Sequence, residues 1–335
     1  MSHSTEHNSR PEQSATLFIA ASETDSNLYY ATRFIAPDPF IYLEVKGERL
    51  MVMSDLEVDR ARNQATVDRV LSYSELERRA KSQGVKDPGT IDVIHLVLQD
   101  AGLKDILVPP TFPFLHASRL QEMGYRLRTK RDPFYEQRVM KSDDEVRHIE
   151  AAQRATETAV AAAHQHLRRA EIRDNVLWLD GEILTSERVK KLINVALMEC
   201  DCVAQHTIVA GGEQACDPHD EGSGPLPAHR SIIFDVFPRS AETRYFADMS
   251  RTVVRGTPSP ELTRLYHAVK DAQEEAITKI RDGADGAAIH QGICDRFEKA
   301  GYKTGLVNGR MQGYFHGTGH GVGLDIHEAP RISRT

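Results

Sequence analysis

The residues best suited to chemistry crowd the end of the chain, where His316, His320 and His327 fall within twelve positions. Gly317, Gly319, Gly321 and Gly323 are interleaved with them. Imidazole serves as a metal ligand or as a proton carrier near neutral pH. Glycine at this density lets backbone approach a ligand closely and take dihedrals closed to other residues. The combination favours a site over a structural histidine cluster. His219 stands apart, in Cys216-Asp217-Pro218-His219, a loop context in which a solvated side chain is the plainer reading.

Two carboxylates complete the set. Asp235 interrupts the apolar run Ile232–Phe237. An unpaired ionised carboxylate there needs a cation, a hydrogen-bond network or a raised pKa. Asp248 lies in a second strand-like run, Tyr245–Thr252, and Pro238–Ala241 suits the turn between the two. Carboxylates on paired strands can converge on one point, as a two-metal centre requires. Pairing of an aspartate with Arg251, or capping of a turn, is the alternative.

These residues need elements to hold them. In the first part of the chain, β-rich apolar runs at Ala15–Ala20, Phe40–Val45 and Leu50–Met53 predict strands, with Lys46–Glu48 as a turn. Helices are predicted at Ile91–Leu98, ending at Gly102, and at Phe114–Met123, closed by Gly124, with a strand at Ile106–Val108 between them. Such alternation implies an α/β domain over residues 15–135. Met1–Ser14 (1–14) is polar and expected to be a disordered tail, and Thr129–Met140 to join two domains.

From Ser142 the pattern changes. Ser142 followed by Glu145 has the form of a capping box, and a long helix is predicted behind it with Val146, Ile149, Ala152, Thr156, Ala159, Val160 and Ala163 on its buried face. Further helices are predicted from Ser186, after Pro258–Pro260 with Leu262, Leu265, Val269, Ala272, Ala276 and Ile280 inward, and over Ala287–Ala300. Strands at His206–Ala210, Ser231–Phe237 and Thr243–Val254 make the region 140–335 a set of helices on a mainly antiparallel sheet, an α+β domain.

Composition narrows the function. Of 335 residues, 40% are hydrophobic and 27% charged, and the formal charge is -7, which argues against a nucleic-acid partner. No apolar run is long enough to span a membrane, and the N-terminus lacks a signal-peptide pattern. Four cysteines in such a chain suit reduced thiols in a cytoplasmic protein rather than a disulfide framework.

Asp235, Asp248, Gly319–Gly323 and His327-Glu328-Ala329-Pro330 together resemble the signature of the pita-bread metallopeptidases. That family comprises methionine aminopeptidase, aminopeptidase P, prolidase and the metal-free creatinase. Ser26–Tyr30 is similar to the N-terminal domain of aminopeptidase P and prolidase, and Lys141–Glu145 to the start of their catalytic domain. The resemblance implies an α/β N-terminal domain followed by an α+β pita-bread catalytic domain. It implies Asp235 as a terminal metal ligand, Asp248 as a ligand bridging two ions and His320 as a ligand to one. His327 would contact substrate and stabilise the tetrahedral intermediate, and His219 would sit at the mouth of the site. His316 matches an extra histidine of aminopeptidase P and prolidase, and leans the assignment toward Xaa-Pro bonds. The implied cofactor is two divalent ions, manganese first, with cobalt, iron or zinc as alternatives. The implied chemistry is attack by a metal-bound hydroxide on a peptide with proline in the second position, by a homodimer.

Two features depart from that pattern. Twelve residues separate Asp235 from Asp248, against the ten usual in the family; an insertion of two preserves facing, because strand periodicity is two. After Pro330 only Arg331–Thr335 follow, so the two glutamate ligands that the resemblance implies are missing. The expectation is therefore a C-terminally incomplete catalytic domain whose activity as a separate chain is in doubt. The alternatives are a catalytically dead binding module and a hydrolase of a non-peptide amide on the same fold.

Overall fold

The computed structural model describes residues 14–334. The chain divides into two compact units, Met1–Glu136 and Gln137–Thr335. Of the expected N-terminal tail, residues 1–13 lie outside the described residues, whereas Ser14 already pairs with Asp105 and opens the first strand.

The first unit is built on a six-stranded sheet. Its strands are β1 (Ser14–Ala20), β2 (Phe40–Val45), β3 (Glu48–Met53), β4 (Arg69–Ser72), β5 (Asp105–Val108) and β6 (Arg126–Thr129), in the order β4-β3-β2-β1-β5-β6. The meander β1-β2-β3 is antiparallel, and the outer pairings are parallel. Side chains alternate between two cores, as the pleat demands. Leu17, Ile41, Leu43, Leu50 and Val52 face α4 (Thr90–Ala101), while Phe18, Phe40, Tyr42, Met51 and Met53 face α1 (Ser26–Thr32) and α2 (Val58–Gln64). Burial on both faces explains why these strands read as continuous apolar runs. Helices α3 (Tyr73–Ser82) and α5 (Phe114–Glu122) complete the unit.

The expected connector is not a solvated linker. Phe134 and Tyr135 sit in the first unit's core, the Phe134 ring 4.9 Å from Phe18, because two aromatic side chains bury more area than their charged neighbours can oppose. Arg138, three residues further on, is buried within the second unit.

In the second unit every strand pairing is antiparallel among the described residues. A small meander, β7 (Glu171–Arg173), β8 (Val176–Leu179) and β9 (Glu182–Ile183), follows α6 (Asp143–Arg169), and α7 (Ser186–Met198) comes next. The sheet that matters for the site is β11 (Ile208–Gly211), β12 (Ser231–Val236) and β14 (Met249–Val254). Its inner side packs Ile232, Phe234 and Val236 against Ala152, Ala159 and Ala163 of α6 and Ile193 of α7. Alanines along α6 let that helix lie close to the sheet. Val146, expected on the same face, is exposed.

The capping box forms: Ser142 Oγ accepts from the Glu145 amide, and the Glu145 carboxylate accepts from the Ser142 amide. Glu145 also accepts 2.7 Å from the hydroxyl of buried Tyr245, tying the start of α6 to the segment that leads into β14.

That segment corrects the expected hairpin. Pro238–Ala241 does not make a tight turn between two long strands. Instead β13 (Arg239–Ser240) pairs with β10 (Cys202–Val203), and the strand expected from Thr243 resumes only at Met249. The ladder needs partners only as far as Val236, which pairs with Met249, so the longer excursion can bind elsewhere.

The helix α8 (Pro260–Lys279) is a second correction. Ala272 and Ala276 are buried against Ile289, Ile293 and Phe297, all on α9 (Gly286–Lys299), but Leu265, Val269 and Ile280 are 42%, 51% and 52% exposed. The small Ala row allows close approach to α9 and turns the larger side chains outward. After α9 come two hairpins, β15 (Gly305–Val307) with β16 (Arg310–Gln312), and β17 (Gly319–Gly321) with β18 (Glu328–Ile332). No helix among the described residues is long and apolar enough to cross a membrane.

The loop carrying His219 is pinned from below. Gly222 has φ of +77°, and a Cβ there would stand 2.0 Å from the Val209 carbonyl oxygen, which already accepts 2.7 Å from buried Ser186 Oγ. Gly222→Ala should lose roughly 2 kcal/mol or more, from overpacking and the strained dihedral together. A urea midpoint equal to the parent's would contradict this packing. Tyr245→Phe should cost about 1–3 kcal/mol by removing a buried hydrogen bond to a carboxylate, read by the same denaturation.

Candidate functional site

The antiparallel register places the two aspartates. Asp235 pairs with Ser250, so their side chains share a face of the β12–β14 ladder. Asp248 lies immediately before β14 begins, and its charge is felt at Asp235. The altered spacing leaves the two carboxylates close enough to interact. Ser250 Oγ donates 2.7 Å to Asp235 Oδ1. Burial, and after it the nearby Asp248 charge, raises the Asp235 pKa, while the Ser250 hydrogen bond opposes the rise.

The β17–β18 hairpin brings in the imidazoles. His320 Nε2 lies 3.4 Å from Asp248 Oδ2, and His320 Nδ1 lies 3.0 Å from the Gly321 carbonyl oxygen. The carbonyl only accepts, so Nδ1 carries the proton and Nε2 faces the carboxylate. Two lone pairs cannot face each other at that distance without a positive centre. Protonation of His320 supplies one, and its pKa is accordingly raised, first by the Asp248 contact. A bound cation is the other way to satisfy the pair, and a backbone-oriented imidazole beside a carboxylate is suited to it. The carboxylate–imidazole donor set of Asp235, Asp248 and His320 matches a divalent ion of borderline character. Among the described residues, no group of three or more His, Cys, Asp or Glu side chains is drawn together as a metal site.

His327 follows in the turn into β18, its ring 4.4 Å from that of His320 and nearly perpendicular to it. Burial and then the His320 charge depress its pKa, which favours the neutral imidazole. His219 is exposed, yet its charge is felt at both Asp235 and His327, so its loop borders the same cluster. His316 is different. It packs on Tyr314 at 4.7 Å, with Nδ1 2.8 Å from the Gly317 carbonyl oxygen, and its charge is felt at His290. Its described contacts do not reach the aspartates.

Sequence reading overlooked three groups. Ser250, beside Asp235, carried no signal beyond standing two positions from Asp248. His290 and Tyr314 both meet Thr318 within the glycine-rich stretch, at 2.9 and 2.8 Å, but only the fold brings α9 to that loop. The third is ionic. Arg138 Nη2 donates 2.7 Å to Asp325 Oδ2 and also to Glu328 Oε1, while Lys141 Nζ donates 2.7 Å to Glu328 Oε2. Glu328 is 8% exposed and wholly engaged there, so it is not free to act as a ligand.

The comparisons with known proteins bear on both the fold and the site. The X-Pro aminopeptidase of Thermotoga maritima superposes with a TM-score of 0.74 at 22% identity, over 96% of this chain and 83% of that one. The prolidase of Pyrococcus furiosus gives 0.72 at 20%, over the same shares. These likenesses establish the fold, an α/β unit followed by a pita-bread α+β unit. In sequence, an uncharacterized peptidase of Staphylococcus epidermidis is 31% identical over 167 residues, 49% of this chain and 44% of the relative. A Xaa-Pro dipeptidase of Pyrococcus horikoshii is 25% identical over 236 residues, 70% of this chain and 61% of the relative. The chain thus spans under two thirds of the length of these curated relatives. The profile of metallopeptidase family M24 matches residues 147–335, which hold every candidate site residue, and the chain belongs to that family.

Proposed function

We propose that the chain is the core of a metal-dependent Xaa-Pro peptidase, of aminopeptidase P or prolidase type, acting on peptides with proline in the second position. The observation that carries this reading is the Asp248–His320 pair, set beside Asp235 on one face and backed by the His327 ring. The family's metallopeptidase character and the Xaa-Pro dipeptidases among its relatives support it.

Asp235, Asp248 and His320 would hold the divalent centre, with manganese the first candidate for an oxygen-rich set. A divalent ion bound there supplies an activated water and polarises the scissile carbonyl. The chain's own residues do the rest. Ser250 holds Asp235 in place by its 2.7 Å hydrogen bond. His327, favoured in its neutral form, is able to donate one proton and accept another as charge develops on the carbonyl oxygen. His219, on a loop fixed by Gly222, borders the cluster from the solvent side. His316, packed on Tyr314 and held to the Gly317 carbonyl, would act through the glycine-rich loop. Self-association as a dimer and a cytoplasmic location belong to the same proposal.

The test uses the protein with manganese, cobalt or zinc added, on Xaa-Pro dipeptides, longer Xaa-Pro peptides and Xaa-Ala controls. Hydrolysis confined to Xaa-Pro bonds, and lost on chelation, is expected. Asp248→Ala should abolish both metal retention and turnover. His327→Ala should retain metal and lower kcat by roughly a hundredfold, the scale of a lost general acid–base group. Equal metal loss in the two variants would contradict these roles. A parent chain that binds no divalent ion would instead indicate a binding module on a peptidase fold.

A further inference from the structure

Arg138 lies far from the candidate site in sequence, and the chemistry proposed above does not use it. Its side chain is 8% exposed, and one terminal nitrogen, Nη2, bridges Asp325 and Glu328. These two residues bracket His327 within the turn joining β17 to β18. Glu328 Oε1 also accepts 3.0 Å from the Asp325 amide, so the carboxylate closes the turn on itself. Gly323 packs so tightly against this carboxylate that a Cβ there would stand 2.5 Å from Glu328 Oε2. The Gly323 carbonyl in turn accepts 2.8 Å from the Phe246 amide, two residues before Asp248. One buried guanidinium therefore fixes a turn that carries His327 and contacts the approach to Asp248.

The geometry points to Arg138 as a positioning residue for His327. By holding Asp325 and Glu328 together, it sets the turn that keeps the His327 ring against His320. Lys141 Nζ donates to the other oxygen of Glu328 and to the Arg138 carbonyl oxygen, and it does not reach Asp325 among its described contacts, so it balances charge without closing the turn. The planar guanidinium suits this task because its N–H groups leave in fixed directions, whereas an ammonium is a point charge. The inference rests on the hydrolytic reading for its kinetic consequence, but not for its structural one.

The experiment compares Arg138→Met, Glu328→Gln and Lys141→Met in the full chain. Thermal melting monitors folding, ring-proton contacts between His320 and His327 are read by NMR of histidine-labelled protein, and kcat and KM are measured with manganese on a Xaa-Pro dipeptide. Arg138→Met should lose the ring contact and lower kcat at least about tenfold with KM within about twofold, because a small misplacement of a reacting group costs rate more than binding. Lys141→Met should keep the contact and stay within about twofold of the parent kcat. Retention of both the contact and kcat in Arg138→Met overturns the inference, as does an equal loss in Lys141→Met. If Arg138→Met does not fold, Glu328→Gln decides in the same way, since it keeps the side-chain shape and the acceptor for Asp325 while removing the charge that Arg138 binds. A parent chain inactive with every metal would defeat the peptidase reading, and the ring contact would then judge Arg138 alone.

Discussion

Two carboxylates, Asp235 on a short antiparallel ladder and Asp248 at the entry to its last strand, repel each other, and the candidate site is organised around that repulsion. Asp235 cannot turn away, because its pairing with Ser250 commits its side chain to one face of the ladder, where the Asp248 charge is felt. Burial adds to the difficulty by removing water that would screen the charges, so the Asp235 pKa rises. Relief comes from Ser250 and from His320 turned edge-on to Asp248. One imidazole against two carboxylates leaves the cluster short of positive charge.

The second charged cluster is built on the opposite principle. Arg138 and Lys141 face Asp325 and Glu328, two cations against two anions, with Arg138 and Glu328 almost fully buried. A balanced buried pair contributes little net stability, yet loss of one partner strands a charge at a cost of about 3–5 kcal/mol. Such a cluster is a rigid support, with no unmet demand for a ligand. The unbalanced group therefore sits beside a balanced one, and the turn through His327 joins them.

Much of this was legible in the sequence. Alternating apolar runs marked the meander β1-β2-β3, and Ser142 with Glu145 marked the start of α6, because both signals are local. Asp235, Asp248, His320 and His327 stood out through residue type and spacing. Features set by distant partners were not legible. Arg138 meets Glu328 across 190 positions, and nothing near Arg138 announces it. The six apolar positions chosen for α8 obey helical spacing, but periodicity cannot tell which side an alanine row will turn toward a neighbouring helix. The same limit made His316 look equivalent to His320, although only His320 lies on the strand that reaches Asp248.

The hairpin between the aspartates shows why the chemistry tolerates change in the fold. The expected tight turn is replaced by an excursion that pairs β13 with β10 and threads Tyr245 under α6. None of this disturbs the pairing of Asp235 with Ser250, because the register is set from Val236–Met249 inward. The extra length is anchored through Tyr245 and through the Phe246 amide on Gly323. The excursion thus becomes a support, linking the Asp248 strand both to the start of α6 and to the turn that carries His327.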